Sequence, residues 1–169
     1  LSKLVKKNEK VRLYILGIED DKGDLNHLKK VSNEMNVGSS IFFLDQVPRR
    51  TLPSILSNFD IGLSLIPPIP KFIVSSPSKV IDYLSLGIPV LANNEISYQR
   101  SLINKSGGGI LTNYDVDEVV KAITWLITNK KRMKRRALQS KDYVINNNNF
   151  EIIAKQLEDK FYNLLNIKK

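Results

Sequence analysis

Residues 75–94 read SSPSKVIDYLSLGIPVLANN, and the fold of the whole chain turns on how these twenty positions are read. Ser76 has the side chain of a helix N-cap. Pro77 suits the first helical position, because its missing N–H is one that the first turn leaves unpaired anyway. Val80, Ile81, Leu84 and Leu86 recur at helical spacing and give one apolar face. Gly87 can take the left-handed conformation that ends a helix, and Pro89 prevents helix from resuming. Val90, Leu91 and Ala92 then form a short apolar run of the kind buried in a parallel sheet. On local pattern alone this is a well-capped core helix feeding a buried strand. Its N-terminus has a second use, since free amides beside Lys79 make a site for an anion such as a phosphate.

Working outward, the same alternation repeats. Leu1–Lys10 reads as the end of a helix, and VRLYILG at 11–17 as a strand that ends in glycine. The acidic loop EDDKGD follows. Asp20, Asp21 and Asp24 match no established calcium-loop spacing, so a solvated turn with Asp24 capping the next helix is the reading. That helix carries Leu25, Leu28, Val31 and Met35 on one face and stops near Gly38, with His27 off the stripe. IFFL at 41–44 is the second strand, a short helix is predicted from about Leu52 to Phe59, and IGLSLI at 61–66 is the third strand. PPIPKFIVSS is rich in proline and reads as a loop arching over the strand ends.

Beyond the central stretch, a short helix around Tyr98–Ile103 ends in KSGGG. Gly107, Gly108 and Gly109 lack a following helix and a P-loop lysine, so they read as a flexible turn into a fifth strand, GILT, and not as a phosphate cradle. DVDEVVKAITWLIT is an amphipathic helix with Asp115 and Glu118 spaced like a capping box; Val116, Val119, Val120, Ile123, Leu126 and Ile127 form its apolar face. A basic helix follows, NNNN at 146–149 interrupts, and Ile153, Leu157, Phe161, Leu164 and Leu165 recur at helical spacing in a last helix that needs a partner surface. Alternating strands and helices predict an α/β fold, a Rossmann-like parallel sheet flanked by helices on both faces. In such sheets ligands bind beyond the carboxyl ends of the strands, where the proline-rich loop and the amides at Ser76–Lys79 belong.

Composition narrows the chemistry. A chain of 169 residues with 42% hydrophobic and 25% charged residues is long enough for one domain with a substantial core. With no cysteine and a single histidine, His27, the chain has no disulfide, thiolate site or histidine metal cluster. No apolar run approaches the roughly 20 residues that cross a bilayer, and LSKLVKKNEK lacks the apolar core of a signal peptide. The expectation is a cytoplasmic protein. The net charge of +9 is concentrated: Lys121, Lys130, Lys131, Arg132, Lys134, Arg135, Arg136 and Lys141 lie in a span without one acid. Such a block suits an anionic membrane surface or a solvated helix face. The block matches no nucleic-acid motif, so nucleic acid is the weaker option.

Four segments in order, YILG, FLDQVPRRTLPSILSNFDIGLSLIP, SPSKVIDYLSLGIPVLA and GGGILTNYDVDEVVKAITWLI, resemble the C-terminal, nucleotide-sugar-binding domain of retaining glycosyltransferases of the two-Rossmann-domain (GT-B) architecture, glycosyl transferases group 1, family 4-like. The resemblance runs from about Val11 to Leu165. It implies a donor domain over residues 1–169, with 150–165 as a helix that crosses back to an N-terminal acceptor domain. It also implies that this acceptor domain, and an earlier strand with an Arg and a Lys that grip the donor phosphates, lie outside the chain, so that the isolated chain does not catalyse transfer.

By the same resemblance the donor is a nucleotide-diphosphate sugar, no cofactor or metal is required, and the acceptor is a saccharide or a lipid-linked one. Ser75, Ser76, Pro77 and Ser78 would present amides to the diphosphate, Lys79 a cation, Asp82 an acceptor for the ribose, and Val47 a backbone contact to the base. Two departures stand out: Val74 occupies the place of the family's first acid, and Asp82 replaces the usual glutamate. A rival reading is a degenerate domain that keeps the fold and docks on an anionic membrane or partner through Lys130, Lys131, Arg132, Lys134, Arg135 and Arg136. A sugar-nucleotide 2-epimerase shares the layout but relies on a cleft histidine, which His27 does not supply.

Overall fold

The computed structural model describes residues 1–7, 10–17 and 24–165. At its centre strand β4 (Val90–Asn93) has all four residues buried and pairs in parallel with β3 (Gly62–Ser64) on one side and β5 (Gly109–Thr112) on the other. The registers are Gly62↔Val90 to Ser64↔Ala92 and Val90↔Gly109 to Asn93↔Thr112. Strands β1 (Leu13–Leu16) and β2 (Ile41–Leu44) pair in parallel, Leu13↔Ile41 to Leu16↔Leu44, but as a separate two-stranded sheet. One continuous sheet was the expectation, and this is a correction. The strands are three or four residues long, and the rings of Tyr14 on β1 and Phe59, just before β3, stand 4.9 Å apart where a ladder would otherwise run.

The helices alternate with the strands as expected: α1 (Ser2–Lys6), α2 (Asp24–Glu34), α3 (Leu52–Leu56), α4 (Pro70–Ile73), α5 (Ser78–Ser85), α6 (Ser97–Ser106), α7 (Val116–Thr128), α8 (Lys130–Asn147) and α9 (Phe150–Leu164). The architecture is therefore Rossmann-like α/β. Helix α4 lies inside the predicted loop; Pro70 starts it because a fixed φ and an absent N–H cost nothing in a first turn. Helix α2 starts at Asp24, while Asp20 and Asp21 lie outside the described residues. Its expected apolar face is only half covered: Leu28 and Met35 are exposed, and Ser32 is its buried residue.

Two apolar clusters sandwich the three-stranded sheet. Val80, Leu84, Val90, Ala92, Leu102, Ile103 and Val144 fill one side, and Leu91, Leu126 and Met133 the other. Each of these large side chains contributes about 1.5–3 kcal/mol by leaving water. Helix α8 reaches both clusters, through Met133 near its start and Val144 near its end, along a seam of Met133, Ala137, Ser140 and Val144. It crosses the amino-terminal edge of the sheet. Lys130 pairs with Asp60 at 2.9 Å just before β3, Leu138 lies against Gly87 before β4, and Ser140 lies against Gly108 before β5.

The glycine run at 107–109 is thus neither a cradle nor a flexible turn. Gly107, at φ 71°, is the left-handed cap of α6, and Gly108 is packed under α8 so closely that a Cβ would collide with Ser140 and Leu84. At the start of α7 the Asp115 side chain accepts from the amides of Asp117 and Glu118, both at 2.9 Å. Glu118 completes only half of the expected box, because it accepts from Asn113 and not from Asp115. Asn149 caps α9 by accepting from the Glu151 amide, and Ile153, Leu157, Phe161, Leu164 and Leu165 are exposed along that helix.

Candidate functional site

Helix α5 behaves as the central stretch predicts, with one correction at its start. Val80 and Leu84 are fully buried, Gly87 has φ 67°, and β4 follows Pro89. The N-cap, however, is Pro77 (φ −68°, ψ 119°), the first helical residue is Ser78, and among the described residues no side chain caps the helix. Ser76 does not cap because Ser75 and Ser76 belong to the exit of α4: Ser75 donates both its N–H (3.0 Å) and its hydroxyl (2.7 Å) to the Phe72 carbonyl. The amides of the first turn of α5 are left open, with Ser76, Ser78 and Lys79 exposed and Ser75 and Pro77 half-buried around them. Val74, at the C-cap of α4, is 78% exposed.

Asp82 lies one turn further along α5. It shares a cleft of about 100 Å³ with Arg49, Leu52, Pro53, Leu56, Ser85 and Leu86, so α3 and the turn before it form the opposite wall. The Asp82 carboxylate makes no hydrogen bond or ion pair among the described residues, and so is available to a ligand. Val47 lies two residues before Arg49 in the segment that follows β2, half-buried. The structure therefore brings Asp82 and the turn after Val47 to one cleft and sets Ser75–Lys79 at the start of the same helix. Arg49 is a cation at this cleft that sequence reasoning missed. The signal was the adjacent pair Arg49–Arg50 in a turn otherwise read only for its valine.

Polar groups that sequence reasoning also missed hold this end of the molecule in place. Asn93, fully buried at the end of β4, receives the Ile66 N–H at 2.8 Å and donates to the Ile66 carbonyl at 3.0 Å and to Glu95 at 2.8 Å. Gln99, also fully buried, donates to the Asn93 carbonyl (2.7 Å) and side chain (3.0 Å) and accepts from Ser64 (3.0 Å). Glu95 reaches on to the Tyr114 amide at 2.8 Å, and Ser97 donates to the Ile73 carbonyl at 3.2 Å. Burial works against the Glu95 charge, yet hydrogen bonds from the Tyr114 amide, Asn93 and its own amide outweigh it and hold the carboxyl below its ordinary value. The loops beyond β3, β4 and β5 are thereby cross-tied, and the proline-rich segment that leads into α5 is pinned at Ile66 and at Ile73. Tyr83 of α5 lies flat against Gly62 of β3; burial, and secondarily the Asp82 charge, push its phenol up.

A family profile described as "Glycosyl transferases group 1" matches residues 1–143. The chain belongs to this family. No curated protein matches the chain significantly by sequence. Among solved structures, the fold matches sucrose-phosphate synthase from Thermosynechococcus elongatus with a TM-score of 0.80 at 16% identity, over 99% of this chain and 42% of that one. It matches HepE from Anabaena, solved in complex with UDP, with a TM-score of 0.74 at 14% identity, over 90% and 41% of the two chains. WaaG, a glycosyltransferase involved in lipopolysaccharide biosynthesis, matches with a TM-score of 0.59 at 12% identity over 85% and 45%.

These group 1 glycosyltransferase comparisons agree on the fold, a Rossmann-like half of the GT-B architecture. The chain spans less than half the length of each of these three structures. The profile ends within the basic helix α8, at Tyr143, so α9 lies beyond the matched segment.

Proposed function

We propose that this chain is the donor-binding half of a glycosyltransferase that takes a nucleotide-diphosphate sugar and transfers the sugar, with retention and without a metal, to a saccharide or lipid-linked acceptor. The observation that carries the reading is the open N-terminus of α5, uncapped among the described residues and flanked by the exposed Lys79. Breaking the glycosidic bond leaves charge on the departing diphosphate. Amides at a helix start and a lysine beside them stabilise that charge in place, without having to reorganise during the reaction.

In this reading the segment Ser75–Lys79 holds the diphosphate, Asp82 accepts from the ribose, and the backbone at Val47 meets the base beyond the cleft that Arg49 and Asp82 share. With a valine at 74, the sugar is held by backbone or by groups outside this chain. The acceptor site belongs to an N-terminal half of the same protein, and the apolar face of α9, segment 150–165, crosses toward it. The enzyme works in the cytoplasm, where nucleotide sugars are made. A degenerate docking module is the alternative, and the Asp82 carboxylate on α5, without a partner among the described residues and lining a cleft, favours the donor site over it.

The test is a thermal-shift screen of the protein against UDP-, GDP- and ADP-sugars. One base class raises the melting temperature in a concentration-dependent way, as linkage requires of a ligand that binds only the folded state. No shift with any of the three removes the reading.

A further inference from the structure

The basic block has a placement that the donor site does not explain. Helix α8 crosses the amino-terminal edge of β3–β4–β5, fixed there by Lys130–Asp60, Leu138–Gly87 and Ser140–Gly108, whereas the uncapped start of α5 and the Asn93 network lie at the carboxyl-terminal edge. The seam that faces the sheet is Met133, Ala137, Ser140 and Val144. At helical spacing Lys131 and Arg135 then point directly away from the sheet, with Arg132 and Lys134 flanking them. None of these four makes an ion pair among the described residues, and the outward face meets its first acid only at Asp142.

Apart from Lys130, which pairs with Asp60, no ion pair among the described residues uses this charge to hold the fold. Lys130, Lys131 and Arg132 occupy the first turn of α8, the end at which the helix dipole favours anions, and that turn contains no acid. Beside the block on α7, Lys121 and Trp125 share one exposed face at i, i+4, and Trp125 is 39% exposed. A helix face with cations outward, preceded by a helix that carries a partly exposed tryptophan, matches the headgroup layer of an anionic bilayer, where tryptophan sits at the polar boundary and each lysine or arginine is attracted to the leaflet. Single-stranded nucleic acid would need several aromatic stacking platforms among the cations, and Trp125 is the one aromatic between Lys121 and Lys141.

We infer that the outer face of α8, led by Lys131, Arg132 and Arg135, docks this protein on an anionic phospholipid surface. The docking is independent of nucleotide-sugar binding and leaves the opposite edge of the sheet, with α5, turned to solvent.

Co-sedimentation of the intact protein with vesicles tests this, using phosphatidylcholine with about 30 mol% phosphatidylglycerol against pure phosphatidylcholine. Binding is expected only to the anionic vesicles and falls as salt is raised. Each cation near the leaflet adds about fivefold to partitioning, so the triple reversal K131E/R132E/R135E loses about 100-fold or more. Lys29→Glu with Lys30→Glu, on exposed α2, leaves binding unchanged. The neutral triple K131Q/R132Q/R135Q, with its fold confirmed by circular dichroism, also loses binding, which guards against misfolding of the reversed variant. Equal binding to neutral vesicles, retention of binding by either triple variant, or displacement from vesicles by a short oligonucleotide at lower concentration overturns the inference.

Discussion

The side-chain amide of Asn93 brackets the backbone of Ile66: Oδ1 accepts the Ile66 N–H at 2.8 Å and Nδ2 donates to the Ile66 carbonyl at 3.0 Å. One residue at the end of β4 thereby supplies the partners that a neighbouring strand would give just where β3 stops. The proline-rich segment cannot pair in a sheet, and this bracket fixes the point from which it departs toward α4 and α5.

Asn93→Ala strips both partners from the half-buried Ile66 backbone and one from the fully buried Gln99. Each unsatisfied buried group costs about 1–3 kcal/mol, so the variant is expected to lose about 2–4 kcal/mol in urea denaturation. Asn93→Asp retains the acceptor but sets a carboxylate against the Ile66 carbonyl and Glu95, and is expected to be no better.

Gly87 ends α5 at φ 67°, and a Cβ there would meet Leu138 Cδ2 at 2.7 Å. The left-handed conformation costs a non-glycine residue about 1–2 kcal/mol, and displacing packed Leu138 adds a comparable amount. Gly87→Ala is expected to destabilise by about 2–4 kcal/mol in equilibrium unfolding, with α8 losing protection in hydrogen exchange before the β4 core does.

Glu95 carries a pH signature. Its folded pKa is depressed, so its contribution is fully present above the unfolded glutamate value and is lost as pH falls through the lower folded value. Melting temperature of the wild type is expected to drop across that acidic window. Glu95→Gln, which keeps a hydrogen-bonding shape without the charge, flattens the drop while lowering stability at neutral pH. A wild-type and a variant curve that run parallel through the window would contradict the role of the charge.

In the proposed donor site, Lys79 and Asp82 meet two different parts of one ligand. Both are accessible in the structure, so neither substitution should lower the melting temperature appreciably. A hydrogen bond to a charged group contributes about 1.5–3 kcal/mol, so Lys79→Ala is expected to weaken a nucleoside diphosphate roughly 10- to 100-fold in calorimetry. On the proposed reading, in which Asp82 accepts from the ribose, Asp82→Ala is expected to weaken the nucleoside and its diphosphate by a similar factor.

What could be read from the sequence was what local chemistry dictates. Strands Ile41–Leu44 and Gly109–Thr112 fall where predicted, as does the left-handed stop at Gly87, because apolar runs and glycine act over a few residues. The separation of β1–β2 from β3–β4–β5 depends on which strands meet in space, and no run of residues encodes that. The cap at Pro77 was misplaced because Ser75 turns back to Phe72, a choice made by α4, which the prolines had concealed. The seam of α8 was hidden because two of its four residues, Ala137 and Ser140, are small and the cations around them dominate the pattern. At the candidate site, the resemblance named Ser75–Lys79 and Asp82, and the structure places Ser78, Lys79 and Asp82 on one helix. Asn93, Gln99 and Glu95 were not, since a buried polar network reads in sequence as an ordinary polar loop.

The central claim is that a diphosphate sits on the open start of α5, and amide chemical-shift mapping of the isotope-labelled protein titrated with the nucleoside diphosphate of the selected base tests it most directly. The account predicts saturable shifts concentrated on the amides of Ser76, Ser78, Lys79 and Val80, with Asp82 and the turn at Val47–Arg49 next, and loss of these shifts in Lys79→Ala. Saturable binding that leaves Ser78–Val80 unmoved and shifts another surface would contradict it.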